Sequence, residues 1–173
     1  MEYFIPDIYQ KSIYFIDYQK LYDNGIRCLL FDLDNTCVPL VVKEPNKKLK
    51  DLFDDLKDLG FKVIIFSNAS RKRLEPFKSE LGVDCCAHSC KPRKDKFLKI
   101  MKKFKFDLSE VAIIGDQLYT DILGGNLVGI TTILINPLSE NDHFFTKFFR
   151  ILERKKMIKM SKKGYFTKGK YYD

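Results

Sequence analysis

The chain has 173 residues, of which 45% are hydrophobic, and it carries a formal net charge of +8. This length fits one domain with an ordinary core, and the composition excludes a fibrous or disordered protein. The positive charge is concentrated at one end, because residues 142–173 hold ten Lys or Arg and three Asp or Glu, a balance of +7. Such a segment is either a solvated terminus or a surface for anionic lipid, nucleic acid or an acidic protein.

Neither the cysteines nor the first residues indicate export. Five cysteines in a chain of this size do not predict a disulfide framework. The opening MEYFIPDIYQ lacks the basic and apolar regions of a signal peptide. No apolar run approaches the roughly 20 residues of a membrane-spanning helix. We therefore expect a cytoplasmic protein, and peripheral contact with the inner face of the membrane stays open.

The chain alternates short apolar runs with helical patterns. Residues 1–24 are rich in aromatic side chains, and we expect a helical segment that packs on the core. Apolar runs then predict buried strands at 28–31, 63–66, 111–114 and 132–135, with a weaker candidate at 83–87. Apolar periodicity predicts helices at 45–59, 71–81 and 94–104. This alternation indicates an α/β domain over residues 25–140, in which a parallel sheet has helices on both faces. Residues 141–173 form a basic C-terminal extension.

Polar side chains follow the predicted strands directly, where ligands bind in open parallel sheets. Several carboxylates that meet at this edge would repel one another unless a cation lies among them. Hard oxygen ligands suit Mg²⁺, and a carboxylate can attack phosphorus while a second acid protonates the leaving oxygen. Ser67, the backbone amides around Asn68, and Lys91 are suitable donors to a phosphate. The residues in question are Asp32, Asp34, Thr36, Ser67, Asn68, Lys91, Asp116 and Asp121.

Four short motifs carry a family resemblance. The stretches FDLDNT, SNAS, KP and GDQLYTD resemble, in order, the motifs of haloacid dehalogenase (HAD) superfamily phosphatases. The resemblance implies a Rossmann-like three-layer fold and a Mg²⁺ cofactor. It also implies a role for each matching residue. Asp32 would be the nucleophile and Asp34 the general acid and base. The phosphate would be surrounded by Thr36, Ser67, Asn68 and Lys91. The metal would be bound by Asp32, Asp116 and the backbone carbonyl of Asp34, and Asp121 would orient these groups without binding the metal.

Some of these residues have structural alternatives. Ser67 could cap the helix that follows it, because a serine before a helix commonly accepts a backbone hydrogen bond. Lys91 could be a solvated charge within the lysine-rich KPRKDK. Asp121 could have a structural role beside Gly124 and Gly125. A cap or turn role for Asp32 and Asp34 fits poorly with the apolar run before them.

The spacing of the motifs leaves no room for a cap domain. Residues 36–67 and 67–91 each hold one helix and one strand, so the site should be open to a large substrate, a membrane-bound one or a partner subunit. Both ends of the chain resemble the YqeG branch of the capless subclass IIIA phosphatases, which includes mitochondrial-type phosphatidylglycerophosphatases. Residues 161–173 fall outside this resemblance. Cys37 and Cys90 depart from the family pattern, which usually has a larger aliphatic residue and a lysine there.

A cysteine-rich run and an amphipathic stripe each allow two interpretations. CCAHSC (residues 85–90) offers zinc ligands. Adjacent cysteines on a strand point to opposite faces, however, so we interpret Cys85 and Cys86 as core residues. The second pattern could lie in an anionic membrane interface or pack on its own domain. Its apolar members are Phe144, Phe145, Phe148, Phe149 and Leu152, and its basic members are Lys147, Arg150, Arg154, Lys155 and Lys156.

These observations favour a Mg²⁺-dependent phosphomonoesterase that acts through an aspartyl-phosphate, with phosphatidylglycerophosphate as its substrate. One alternative is a HAD phosphatase for a nucleotide, sugar or phosphoprotein. Another is a ribosome- or GTPase-associated binding protein with little activity, which the basic extension also fits. The sequence leaves nucleic-acid binding and a homo-oligomer open.

Overall fold

Six strands form a single parallel sheet in the computed structural model, which describes the backbone of residues 2–139 and 144–173 and the side chains of 2–139 and 150–173. The strands are β1 (Ile8–Gln10), β2 (Cys28–Phe31), β3 (Lys62–Phe66), β4 (Asp84–Cys86), β5 (Val111–Gly115) and β6 (Thr131–Ile135). Their order is β1-β6-β5-β2-β3-β4, and every neighbouring pair is parallel. The direction of chain progress reverses between β2 and β5, which makes their carboxyl ends the expected ligand site.

Helices cover both faces of the sheet, as the sequence predicts. On one face α2 (Lys47–Asp58) and α3 (Arg71–Leu81) contribute Phe53 and Phe77 to a core with Phe31, and the rings of Phe31 and Phe53 lie 5.0 Å apart. On the other face Phe97 of α4 (Lys94–Phe104) packs 4.5 Å from Phe66. The helices are α1 (Tyr18–Asp23), α2 (Lys47–Asp58), α3 (Arg71–Leu81), α4 (Lys94–Phe104), α5 (Leu123–Val128) and α6 (Phe144–Lys162), with a π-helical turn at Leu118–Ile122 and 3₁₀ turns at Glu2–Phe4, Ile13–Phe15 and Leu108–Glu110.

The first residues of the chain add a strand that the sequence analysis did not predict. Strand β1 pairs with β6 at the edge of the sheet, between the two short 3₁₀ turns. Its central residue, Tyr9, is 1% exposed and exchanges two 2.9 Å backbone hydrogen bonds with Tyr172. The C-terminal residues therefore cover the outer edge of β1, and an unpaired sheet edge is a site of unwanted association in many proteins.

Candidate active site

Three carboxylates converge at the carboxyl ends of β2 and β5. Asp32 follows β2 directly, and its N–H donates to the carbonyl of Ile114 at 2.9 Å, so the ladder with β5 continues up to the site. Asp116 follows β5, and Asp121 lies in the π-helical turn beyond it. One oxygen from each of Asp32, Asp116 and Asp121 lies within 4.8 Å of the others, and all three residues are buried. This oxygen-only arrangement fits a metal site of the Mg²⁺ type.

Lys91 connects two of these carboxylates. Its Nζ donates to Asp32 Oδ1 at 2.7 Å, to Asp121 Oδ1 at 2.6 Å and to the carbonyl of Phe66 at 2.8 Å. Burial acts to lower the pKa of the Lys91 ammonium, but Asp121 and Asp32 outweigh it and raise the pKa above its usual value. The lysine is therefore a permanent charge inside the site. A solvated Lys91, the alternative that the sequence left open, is excluded because the side chain is 2% exposed.

Asp116 is held between a hydroxyl and a guanidinium. Thr36 donates to its Oδ1 at 3.0 Å, which links the loop after β2 to the loop after β5. Arg150 of α6 donates to Oδ2 and, at 2.9 Å, to the backbone carbonyl of Asp116. Burial raises the pKa of Asp116 to about 7, while Arg150 opposes the shift and Asp32 and Asp121 add to it. The site thus holds more negative charge than its cations balance.

A glycine makes the position of Asp121 possible. A Cβ on Gly115 would lie 2.2 Å from Cγ of Asp121, so no larger residue fits there without moving the carboxylate. Asp121 also accepts a 3.2 Å hydrogen bond from the N–H of Gln117. Burial raises its pKa, and Lys91 opposes this shift. An orienting role for Asp121 stays a prediction, and one of its carboxylate oxygens lies within 4.8 Å of an oxygen of Asp32 and of Asp116.

The side chain of Asp34 points toward α3. Arg73 donates to its Oδ1 from Nε at 3.0 Å and from Nη2 at 2.8 Å, and also donates to the carbonyl of Val42. The Asp34 side chain is 20% exposed and does not join the three-carboxylate group. Contact of the Asp34 backbone carbonyl with a metal stays a prediction. Two hydrogen bonds to one oxygen fix the orientation of the carboxylate.

Ser67 and Asn68 follow β3, and their side chains make local contacts. The Oγ of Ser67 accepts from the N–H of Ala69 at 3.2 Å. The cap of α3 is Ser70, so the structure does not support the capping alternative for Ser67. The Oδ1 of Asn68 accepts from Ser89 at 2.7 Å and from the N–H of Lys91 at 2.8 Å. Asn68 therefore holds the Lys91 loop, and a phosphate contact at this position would come from its backbone.

Sequence analysis missed three residues that shape the site. No local pattern in the sequence distinguishes Arg73 or Glu153, and Arg150 is predicted only as a basic member of a stripe that either lies in a membrane interface or packs on its own domain. In the structure Arg150 contacts the domain, where it binds Asp116 and its Nη1 also pairs with Glu153 at 3.0 Å. Glu153 is 3% exposed, and burial raises its pKa while Arg150 opposes the shift. Glu153 is the only acidic residue in the sequence of α6, and this is the local signal that could have marked the pair.

The two ambiguous patterns have different outcomes. Cys85 packs against the core on the α2 side of the sheet and Cys86 against the core on the α4 side, as predicted for adjacent strand residues. Four of the five apolar members of the α6 stripe lie outside the described side chains, and the fifth, Leu152, is half-buried. Within the described residues, no helix is both long enough and apolar enough to cross a bilayer.

Comparisons with known proteins agree with this geometry. Residues 39–129 match the haloacid dehalogenase-like hydrolase family. The chain is 34% identical over 164 residues to "Probable phosphatase YqeG" of Bacillus subtilis, covering 95% of both proteins. It is 26% identical to "Phosphatidylglycerophosphate phosphatase 1, chloroplastic/mitochondrial" of Arabidopsis thaliana, over 94% of this chain but only half the length of that protein.

A solved structure shows the same fold at lower identity. The D,D-heptose 1,7-bisphosphate phosphatase of B. bronchiseptica, complexed with magnesium and phosphate, aligns with a TM-score of 0.51 at 16% identity, covering 63% of this chain and 80% of that one. The described residues contain no cap domain, in agreement with the short intervals between motifs. The chain therefore belongs to the haloacid dehalogenase-like hydrolases and is a capless phosphatase of the YqeG type.

Proposed function

We propose that the protein is a Mg²⁺-dependent phosphomonoesterase that forms an aspartyl-phosphate on Asp32 and that its substrate is phosphatidylglycerophosphate. The observation that carries the chemistry is the convergence of Asp32, Asp116 and Asp121 around Lys91 at the carboxyl ends of β2 and β5. The Arabidopsis relative supports the substrate.

The residues present suit Mg²⁺. Asp32 and Asp116 would bind it with carboxylate oxygens and Asp34 with its backbone carbonyl, while the nearby Asp121 would hold Lys91 or contribute to the metal's surroundings. The raised pKa of Asp116 supports this assignment, because a divalent cation would remove the surplus negative charge that burial penalises. Bound Mg²⁺ would neutralise charge on the transferring phosphoryl oxygens.

Asp32 and Asp34 can together carry out both steps of phosphate ester hydrolysis. Asp32 has one oxygen on Lys91 and its side chain is 9% exposed, so the second oxygen can reach a phosphate from the open side of the site. In the first step an Asp32 oxygen forms a bond to phosphorus, the ester P–O bond breaks, and Asp34 gives a proton to the leaving alcohol. In the second step Asp34 takes a proton from water as water attacks phosphorus, which releases phosphate and restores Asp32.

Lys91 and the loop after β3 would hold the phosphoryl group during both steps. The Lys91 ammonium remains charged, so it can stabilise a developing negative charge next to Asp32. Arg73 fixes the position of the Asp34 carboxylate through two hydrogen bonds to its Oδ1. Ser67 and the backbone near Asn68 lie at the end of the neighbouring strand, where they can donate to the phosphate oxygens.

Two assays test this proposal. Hydrolysis of an aryl phosphate should require Mg²⁺ and should fall by at least ~10³-fold in Asp32→Asn, because the amide cannot act as the nucleophile. Lys72→Ala, on an exposed position of α3, is the matched control. Turnover of phosphatidylglycerophosphate should then exceed turnover of a panel of soluble nucleotide, sugar and peptide phosphates. Full activity of Asp32→Asn would contradict the mechanism, and preference for a soluble phosphate would contradict the substrate.

A further inference from the structure

A cleft of about 930 Å³ opens beside Asp116, between the end of β6 and helix α6. One wall contains Leu134 and Ile135 of β6 and the loop that follows, and the other is a single face of α6. The cleft also includes Arg150, the residue that binds Asp116. The cleft therefore reaches the three-carboxylate group at Asp116, and Ser67 and Lys91 do not line it.

The helix presents cations and apolar groups along this wall in steps of one turn. Arg150, Arg154, Ile158 and Lys162 line the cleft at intervals of four residues, which places them on one side of the helix. At a rise of about 1.5 Å per residue, Arg154 lies about 6 Å along the axis from Arg150, and Lys162 about 18 Å. The wall thus begins at the site and extends well beyond the size of a phosphate.

The chemistry of the wall changes along its length. Arg154 and Lys162 are exposed, and among the described side chains no carboxylate lies within ion-pair distance of either. Between them, Met157 is half-buried and Ile158 is 51% exposed. Met157 and Ile158 thus form a short apolar section between the two cations, and this combination suits a ligand with both an anionic group and an apolar chain.

We propose that this cleft is the leaving-group subsite, and that it takes an anionic amphiphilic alcohol whose phosphodiester is bound by Arg154. The inference rests on the proposed phosphatase function. When the monoester bond of phosphatidylglycerophosphate is hydrolysed, the leaving alcohol is phosphatidylglycerol, a glycerol joined through a phosphodiester to a diacylglycerol. With the monoester phosphate at Asp32, the diester reaches the first helical turn beyond Arg150, and the first acyl carbons contact Met157 and Ile158. In a protein without a cap, α6 then selects the substrate.

Inhibition by the lipid product tests the subsite without requiring turnover of the lipid. Dihexanoylphosphatidylglycerol, kept below its micelle concentration, should inhibit aryl phosphate hydrolysis competitively. Its inhibition constant should rise about tenfold or more in the Arg154→Ala/Lys162→Ala variant, because the charged hydrogen bonds from Arg154 to the diester and the positive charge of Lys162 further along the wall are both lost. The control variant is Lys155→Ala/Lys159→Ala, which removes the same charge from exposed positions of the same helix outside the cleft lining and should keep the wild-type constant.

A second inhibitor distinguishes the contribution of the phosphodiester from that of the acyl chains. Glycerophosphoglycerol has the same phosphodiester without acyl chains and should inhibit about tenfold more weakly than the lipid. Equal potency would overturn the apolar half of the assignment. Equal inhibition constants in wild type and both double variants, or no inhibition by the lipid, would overturn the cleft assignment. Wild type that does not hydrolyse phosphatidylglycerophosphate but shows the expected inhibition constants would contradict the proposed substrate and support the subsite.

Discussion

Replacing Asp116 with asparagine should make the Mg²⁺-free protein more stable at neutral and alkaline pH, although it removes a proposed metal ligand. Burial raises the pKa of Asp116 from its ordinary value of 3.8 to about 7. Between these values the native state keeps a proton that the unfolded state has released. The free energy of unfolding therefore falls as pH rises from about 4 to about 7 and then levels off.

The magnitude follows from the size of the shift. About three pKa units at about 1.4 kcal/mol each give roughly 4 kcal/mol as an upper bound. For a chain of 173 residues this corresponds to a melting temperature that falls by roughly 10 °C. Asparagine abolishes this ionisation. The substitution leaves Arg150 with the backbone carbonyl of residue 116 at 2.9 Å and with Glu153 at 3.0 Å, so the guanidinium keeps two acceptors.

Thermal melts in chelator and in excess Mg²⁺, each from pH 5 to pH 8, provide the test. In chelator, the variant should melt above wild type at pH 8, and the difference should shrink toward pH 5. In Mg²⁺, wild type should gain stability and the variant should gain little, because the metal binds the ionised carboxylate. Asp54→Asn, at an exposed position of α2, serves as the control. If wild type in chelator is equally stable at pH 5 and pH 8, the argument from surplus negative charge is wrong.

Three further predictions address the residues that build the site. Lys91→Met should lower the rate of aryl phosphate hydrolysis by ~10²–10³-fold, because two buried carboxylates lose their shared cation. The same loss should lower the free energy of unfolding in a urea titration by about 3–5 kcal/mol. A hydrolysis rate within threefold of wild type would contradict this prediction. Gly115→Ala should abolish Mg²⁺-dependent stabilisation, since the added Cβ would lie 2.2 Å from Cγ of Asp121; an unchanged Mg²⁺ titration would show that the carboxylate can move. Iodoacetamide at pH 8 should modify the exposed Cys90 at least ~100-fold faster than Cys28, because burial raises the pKa of the Cys28 thiol to about 12 and keeps it protonated; mass spectrometry that finds Cys28 modified first would refute this.

The strands and helices that are predicted well are those marked by residues within the element itself or next to it. Strand β2 is four consecutive buried residues, which is typical of a strand covered on both faces. Helix α3 ends where predicted because Gly82, at φ 60°, adopts the left-handed conformation that commonly terminates a helix. The positions of Asp32 and Asp116 also follow from local signals, since each comes directly after a buried apolar run. Once Asp32 and Asp116 are assigned to the ends of adjacent parallel strands, the topology brings them together.

The features that sequence missed depend on contacts between distant parts of the chain. Strand β1 has three residues, and its register is fixed by β6, which lies 125 positions later. The ion pair between Arg73 and Asp34 spans 39 positions, and the one between Arg150 and Asp116 spans 34. Among 31 Lys and Arg residues, no local pattern distinguishes these two. Hydrophobic periodicity carries no information about which charge will be buried.

The charge balance of the site argues for a catalytic rather than a structural role. Lys91 and Arg150 are the described cations in contact with Asp32, Asp116 and Asp121, and Arg150 is shared with the buried Glu153. A cluster that served only stability would match its charges, since burying a surplus carboxylate is unfavourable. Here the raised pKa values of Asp116 and Asp121 both result first from burial. Four carboxylates against two cations leave a charge of −2, which a divalent cation would neutralise, and a site without this surplus is what a phosphate monoester dianion requires. The instability of the metal-free site and its affinity for phosphate would then have the same physical origin.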